Sequence, residues 1–404
     1  MQKKLYLHIG ASKTGTSSLQ SYLNDHRDWL QKQGFLVPKS ERYNHHPLVQ
    51  SILWKFSDYY KSAKKPPFQG NYASLWQRFH AEVEHSECPV VLVSSEMFPA
   101  LADAPVRHQS DTMIRWLGEQ LKDFDVRVVC YLRPLDRSLK SQYKYFVKDR
   151  RVHLTMAEWV CQQLRHRSIY TEPTTYLDRF VHQFGADNLI LRYYDRSNLV
   201  NENVIDDFFD LIGLSSQVDR LGDRESHPSL PDQLLDMKRI FNELARPSAD
   251  ESFRIGRTLA RQSTTTFDAS PADGGRAISE ALQNEHKKLA ENYGLDLGEV
   301  GDPFGETDSG SIEAQGQTVL ISELYKQVRE SQKTLDELQT EVKELRAQND
   351  KPGASQQIKQ SHARLEKLIR NRTSISKRFR GVVRKLLKQF SPRANSRKVG
   401  ADSR

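Results

Sequence analysis

The stretch Lys4-Leu-Tyr-Leu-His-Ile-Gly-Ala-Ser-Lys-Thr-Gly-Thr-Ser-Ser-Leu-Gln20 constrains this chain more than any other. Leu5, Leu7 and Ile9 alternate as the apolar face of a short strand. Gly10 to Gly15 make a loop of small residues. Ser17 to Asn24 then read as the start of a helix, with Leu19 and Leu23 on one face. A strand, a glycine loop and a helix N-terminus together form an anion site, because turn N–H groups point outward and the helix dipole adds positive potential. Lys13 places a full charge inside the loop, and Thr14, Thr16, Ser17 and Ser18 add hydroxyl donors.

The ordinary phosphate loop reads GxxxxGK[ST]. Gly10 and Gly15 have its spacing, but Thr16 stands where its lysine belongs, and the lysine sits inside the loop at Lys13. That pattern argues against an ATPase or GTPase. A second basic motif follows the apolar run Val126-Arg-Val-Val-Cys-Tyr-Leu132, which reads as a strand. Arg133 ends that strand, and Ser141 lies eight residues on, about two helical turns later. The arginine fork suits a dianionic phosphate, and a serine hydroxyl adds a further donor. A plain basic helix start, with Arg137, Lys140 and Lys144 solvated, is the simpler alternative.

These two motifs resemble those of the sulfotransferases that use 3′-phosphoadenosine 5′-phosphosulfate (PAPS). Lys13-Thr-Gly-Thr-Ser-Ser-Leu19 is similar to the phosphosulfate loop of that family, and Arg133 with Ser141 and Tyr143 to its 3′-phosphate site. The run from Phe184-Gly185 through Asn188-Leu-Ile-Leu-Arg-Tyr-Tyr-Asp195 to Ile212-Gly213 resembles the bacterial branch. The resemblance covers about residues 2–300. It implies a P-loop three-layer α/β/α fold with a central parallel sheet. It also implies nucleotide contacts from Lys13, Thr14, Gly15, Thr16, Ser17, Ser18, Arg133 and Ser141, and no metal. The R-K-G-x-x-G element of the small-molecule enzymes is absent, and no tryptophan closely follows the loop, which points away from the phenol- and steroid-sulfating branch.

Candidate bases come from two other places. Val90-Val-Leu-Val93 suits a strand buried on both faces, and Ser94, Ser95 and Glu96 stand at its carboxyl end, where open α/β sheets bind ligands. Glu96 is placed to act as general base, or else to cap the next element or pair with a lysine. His45 and His46, in the polar segment Asn44-His-His-Pro47, read as loop residues, either a base and acceptor contacts or structural histidines. Lys13 and either Glu96 or His46 are therefore the expected catalytic residues.

The chain has 404 residues and a formal net charge of +8. Ten Lys/Arg against one Asp after residue 376 give a net +9, which leaves the rest at −1. The basic balance thus belongs to the tail and does not argue for a nucleic-acid partner. Cys88, Cys130 and Cys161 make neither a metal pattern nor a disulfide framework, which fits a reducing compartment. Gln2-Lys3-Lys4 leads straight into the working strand without a signal sequence, and no apolar stretch is long enough to span a bilayer.

The expected organisation is a catalytic domain over residues 1–305, a Gly/Ser/Asp/Glu-rich linker over 306–317, a coiled coil over 318–350, a further segment over 351–376 and a basic tail over 377–404. Ile321, Leu324, Val328, Ser331, Leu335, Leu338, Val342 and Leu345 alternate spacings of three and four, a heptad seam that predicts a homo-oligomer. Phe379, Val382, Val383, Leu386, Leu387 and Phe390 form an apolar stripe opposite a basic face, which suits an anionic membrane surface. A cytoplasmic enzyme, peripheral on the inner membrane face and acting on a carbohydrate or glycolipid, is expected. The alternatives are a P-loop kinase, and a non-catalytic scaffold that works through its coiled coil and tail.

Overall fold

Side-chain alternation in the first strand, β1 (Lys3–His8), sets the layering. Successive residues of a strand face opposite ways. Leu5, Leu7 and, just past the strand, Ile9 enter one core, while Tyr6 enters a second core on the other side. The computed structural model describes residues 2–61, 71–214, 235, 238–239, 241–243 and 275–301. The remaining strands are β2 (Phe35–Leu36), β3 (Val90–Ser94), β4 (Phe124–Leu132) and β5 (Leu189–Tyr193). They lie in the order β2-β3-β1-β4-β5, and every pairing is parallel. A parallel sheet needs cover on both faces.

On one face, helices α3 (His46–Phe56), α5 (Tyr72–His85), α6 (Ser110–Gln120) and α9 (Thr174–Phe184) supply Val49, Ile52, Phe79, Met113, Leu117, Leu177 and Phe180 to the core. On the other, α1 (Thr16–Asp25), α2 (Arg27–Lys32) and α10 (Val204–Leu211) supply Leu19, Leu23, Leu30, Phe208 and Phe209. The protein is therefore a three-layer α/β/α domain with a central parallel sheet, as the sequence leads one to expect. The chain divides into two compact units. The first, Met1–Lys144, Leu154–Ser229 and Asp268–Asp308, contains the sheet. In the second, the buried Lys238 pairs with Asn242, whose amide donates to the carbonyls of Val147 (2.8 Å) and Val152 (2.9 Å). The expected linker, coiled coil and basic helix lie outside the described residues. Among the described residues no helix is long and apolar enough to cross a membrane.

One correction concerns the paired histidines. They do not sit on a loop: His46 opens α3, His45 is its N-cap, and Pro47 occupies the first turn, where a missing N–H costs nothing. The parallel register then fixes the functional edge. His8 at the end of β1 lies level with Ser94 at the end of β3 and with Val129 in β4. The glycine loop, Ser95-Glu96 and Arg133 thus leave neighbouring strands at one edge of the sheet. Beyond β4, helix α7 (Leu135–Asp149) begins against α11 (Gly275–Tyr293), where His286 Nε2 accepts the Leu135 N–H at 3.0 Å. The same helix supplies Glu285, which accepts from the Thr174 N–H and hydroxyl and caps α9.

Asp207 ties this edge to the α10 layer. Fully buried, it accepts from Tyr131 (2.7 Å) and from Arg192 through both oxygens (2.7 and 3.1 Å). Removing one partner of a buried pair leaves the others uncompensated. Asp207→Ala is expected to cost about 3 kcal/mol in urea unfolding. Arg192→Met should cost at least as much, because it leaves the fully buried Asp207 carboxylate without its counter-charge, whereas Asp207→Ala strands only a partly exposed arginine.

Candidate functional site

The loop after β1 turns on three left-handed residues, Gly10 (φ 63°), Lys13 (φ 72°) and Gly15 (φ 74°). The glycines are required by contact as well as by conformation. A Cβ on Gly10 would sit 2.9 Å from Thr16 Cγ2 and 3.0 Å from Glu96 Cβ. One on Gly15 would sit 2.8 Å from Val204 and 3.2 Å from the Tyr194 hydroxyl. Lys13 holds the same backbone region without a glycine's freedom, a strain of the order of 1 kcal/mol of the kind found at ligand-binding loops. The Thr14 hydroxyl, read from the sequence as a donor to the anion, instead donates to the Ala11 carbonyl at 2.7 Å and pins the loop. Cys130 anchors its start by donating to the Gly10 carbonyl at 3.0 Å.

Helix α1 starts at Thr16 with no side-chain cap and no acidic residue in its first turn. Its leading N–H groups lack intrahelical partners, and its own first turn carries no acidic residue to offset the dipole. Ser17 and Ser18 stand in that first turn, and Thr16 is buried beneath the loop. One turn further on, Gln20 faces the end of β3 and donates to Glu96 Oε2 at 2.6 Å.

Glu96 and His46, the two candidate bases, form one pair. His46 Nε2 lies 3.4 Å from Glu96 Oε1, and His46 Nδ1 lies 2.7 Å from the Ser95 hydroxyl. Ser95 Oγ also accepts the Met97 N–H at 3.2 Å. A neutral imidazole protonated on Nε2 satisfies both contacts: it donates to Glu96 and accepts from Ser95. Asn44 closes the circuit by donating to Gln20 Oε1 (3.4 Å) and accepting the His46 N–H (3.3 Å). Burial pushes the Glu96 carboxyl up, but the hydrogen bonds from His46 and the Gln20 amide, together with the His46 charge when that ring is protonated, outweigh it and hold the group at about 2. His45 does something else. Its Nδ1 accepts the Ser94 N–H (3.1 Å) and its Nε2 donates to the Pro38 carbonyl (3.0 Å). Burial pushes its pKa down to about 4, so it stays neutral and structural.

Arg133 is half-buried, and among the described residues it forms no ion pair. Burial lowers its pKa, while the nearby Tyr194 raises it. Its neighbour Arg137 is already paired with Asp195 at 2.8 Å. Ser141 lies along α7, half-buried, and no contact joins it to Arg133 among the described residues. Tyr194 links the two halves of the site: its hydroxyl abuts Gly15, and it faces Arg133. Sequence reasoning passed over Tyr194, Gln20 and Asn44. The rule that ligands gather at strand carboxyl ends, applied to β5, would have found Tyr194. Among the described residues no cluster of His, Cys, Asp and Glu is arranged for a metal.

No protein-family model matches the chain, and no curated protein matches it. Among solved structures it is similar to a crystal structure of a sulfotransferase from Alicyclobacillus acidocaldarius, at 16% identity over 61% of this chain and 96% of that chain, with a TM-score of 0.35. With a TM-score that low, the functional reading rests on this chain's own residues.

The Glu96 circuit has a consequence for stability. Its folded pKa of about 2 lies below the ordinary 4.5, so ionised Glu96 stabilises the fold above about pH 4.5, and that share is lost as pH falls towards 2. At pH 6 the share is on the order of 3 kcal/mol at most. Glu96→Gln should therefore be less stable than wild type at pH 6 in chemical unfolding, and the gap should narrow steadily between pH 4.5 and 2.5.

Proposed function

We propose that this protein is a sulfotransferase that moves a sulfuryl group from PAPS to a hydroxyl of a carbohydrate or glycolipid. The observation that supports this most is the setting of Glu96. Its backbone lies against the first glycine of the loop, and its carboxylate is tied to α1 through Gln20. A base and an uncapped helix N-terminus therefore meet at one spot, and Lys13 belongs to the loop that leads into that helix. A kinase of the standard loop type would place its lysine at position 16, where this chain has a buried threonine.

In this reading the 5′-phosphosulfate rests on the loop N–H groups and the first turn of α1, with Thr16, Ser17 and Ser18. Lys13 neutralises the charge that grows on the bridging oxygen. Arg133, with Ser141, takes the 3′-phosphate, and Tyr194 fills the space between the two anion sites. The acceptor hydroxyl gives its proton to the Glu96–His46 pair as the new O–S bond forms and the bridging S–O bond breaks, leaving 3′-phosphoadenosine 5′-phosphate. Glu96 alone is a weak base at its depressed pKa. With Nε2–H already donated to Glu96, the imidazole holds the carboxylate in place, and its open nitrogen for a proton is Nδ1, on the Ser95 side. Positioning and fixed charge supply most of the rate, as in phosphoryl transfer. The same proposal has the apolar stripe and basic face of 377–390 seat the enzyme on an anionic cytoplasmic membrane face, and the heptads of 318–350 join copies of it.

Calorimetric titration with 3′-phosphoadenosine 5′-phosphate tests the donor site. Each charge-assisted contact is worth about 2 kcal/mol, so Lys13→Ala and Arg133→Ala should each weaken binding by roughly 30-fold. ATP with magnesium should bind clearly less well than the bisphosphate. A preference for ATP with magnesium, or binding indifferent to both substitutions, would overturn the reading.

A further inference from the structure

Tyr6, Tyr22, Tyr131, Tyr143 and Tyr176 lie in the interior of the fold. Tyr43 does not. It is 44% exposed, and it immediately precedes Asn44 in the circuit that holds Glu96. The side chains of Ser17, in the first turn of α1, and Asn44 lie about its hydroxyl, and its surroundings include the Glu96 charge. The polar tip thus stands between the start of the anion-binding helix and the base, while the ring stays open to solvent.

We infer that Tyr43 is the acceptor platform of this site, a flat surface on which a saccharide ring stacks to bring one hydroxyl to the Glu96–His46 pair. The inference rests on the sulfotransferase reading and narrows its acceptor. The negative face of an aromatic ring attracts the slightly positive C–H face of a pyranose. Around the tip of Tyr43 stand polar groups, namely Ser17, Asn44 and Glu96. One aromatic surface within a polar rim suits a ring rich in hydroxyls. A phenol or sterol would instead need an enclosed apolar pocket. Tyr43 therefore acts on specificity by positioning the acceptor, and takes no part in proton transfer.

The test is saturation-transfer NMR on the full chain loaded with 3′-phosphoadenosine 5′-phosphate. The probes are methyl β-glucoside, methyl β-galactoside and methyl β-N-acetylglucosaminide, with 1,6-hexanediol as a ringless control. Wild type should pass saturation to the ring C–H protons of at least one glycoside and not to the diol. Tyr43→Phe and Tyr43→Trp should keep the signal, and Tyr43→Ala should lose it at least fivefold. Bisphosphate affinity measured by calorimetry should stay within threefold in all three variants. No signal from any glycoside overturns the inference, as does an unchanged signal in Tyr43→Ala. An equal loss in Tyr43→Phe and Tyr43→Ala also overturns it, by assigning the effect to the hydroxyl. So does a tenfold loss of bisphosphate affinity in Tyr43→Ala, which places the residue in the nucleotide site. Wild type that fails to bind the bisphosphate, while glycosides still register on Tyr43, would sink the donor reading and leave the platform standing.

Discussion

The site depends on the close passage of β1 into a loop that leaves no room for side chains at its two ends. Gly10 is pressed between Thr16 and Glu96, and Gly15 between Val204 and Tyr194. These contacts hold the start of α1 against the end of β3 on one side and against the residue after β5 on the other. Any Cβ at either position forces the helix away from one of them. The left-handed backbone at Gly10, Lys13 and Gly15 follows from the same requirement. Even the buried Thr14 hydroxyl is used to keep the loop folded.

Around that loop the protein keeps its charged groups at different degrees of readiness. Glu96 is ionised, fixed by Gln20 and His46, and braced through Ser95 and Asn44. Such a network raises the cost of losing any member, because each polar group sits where water reaches it poorly. Arg133 is different. Half-buried and without an ion-pair partner among the described residues, it keeps a positive charge that a bound anion would satisfy. Its neighbours explain why it is not neutralised from within: the nearby Asp195 is already engaged by Arg137, Ser197 and its own turn. The capping of α7 by His286 holds the segment after Arg133 in place.

Much of this was legible in the sequence wherever the signal was local. The alternation of Leu5, Leu7 and Ile9, the glycine pair and the helix start are all contained in the stretch from Lys4 to Gln20, and the structure builds them as read. Val90–Val93 and Val126–Leu132 read as strands for the same reason, and Glu96 and Arg133 follow from where those strands stop. What stayed hidden is long-range. The pairing of His46 with Glu96 joins residues fifty apart, and no periodicity announces it. Asn44 and Pro47 look like turn residues, so α3 was overlooked, although Leu48, Val49, Ile52 and Leu53 carry a helical stripe. Tyr194 owes its place to Gly15, across the whole domain, and the division of labour between His45 and His46 is set by which imidazole β3 covers.

The central claim is that one nucleotide bridges two anion sites, its 5′ end on the loop and its 3′ end at Arg133. Phosphorus NMR of bound 3′-phosphoadenosine 5′-phosphate resolves the two ends separately. The account predicts that both resonances shift on binding to wild type, that Lys13→Ala chiefly relaxes the 5′ shift, and that Arg133→Ala chiefly relaxes the 3′ shift. Equal effects of each substitution on both resonances, or a 3′-phosphate that never shifts, would contradict it.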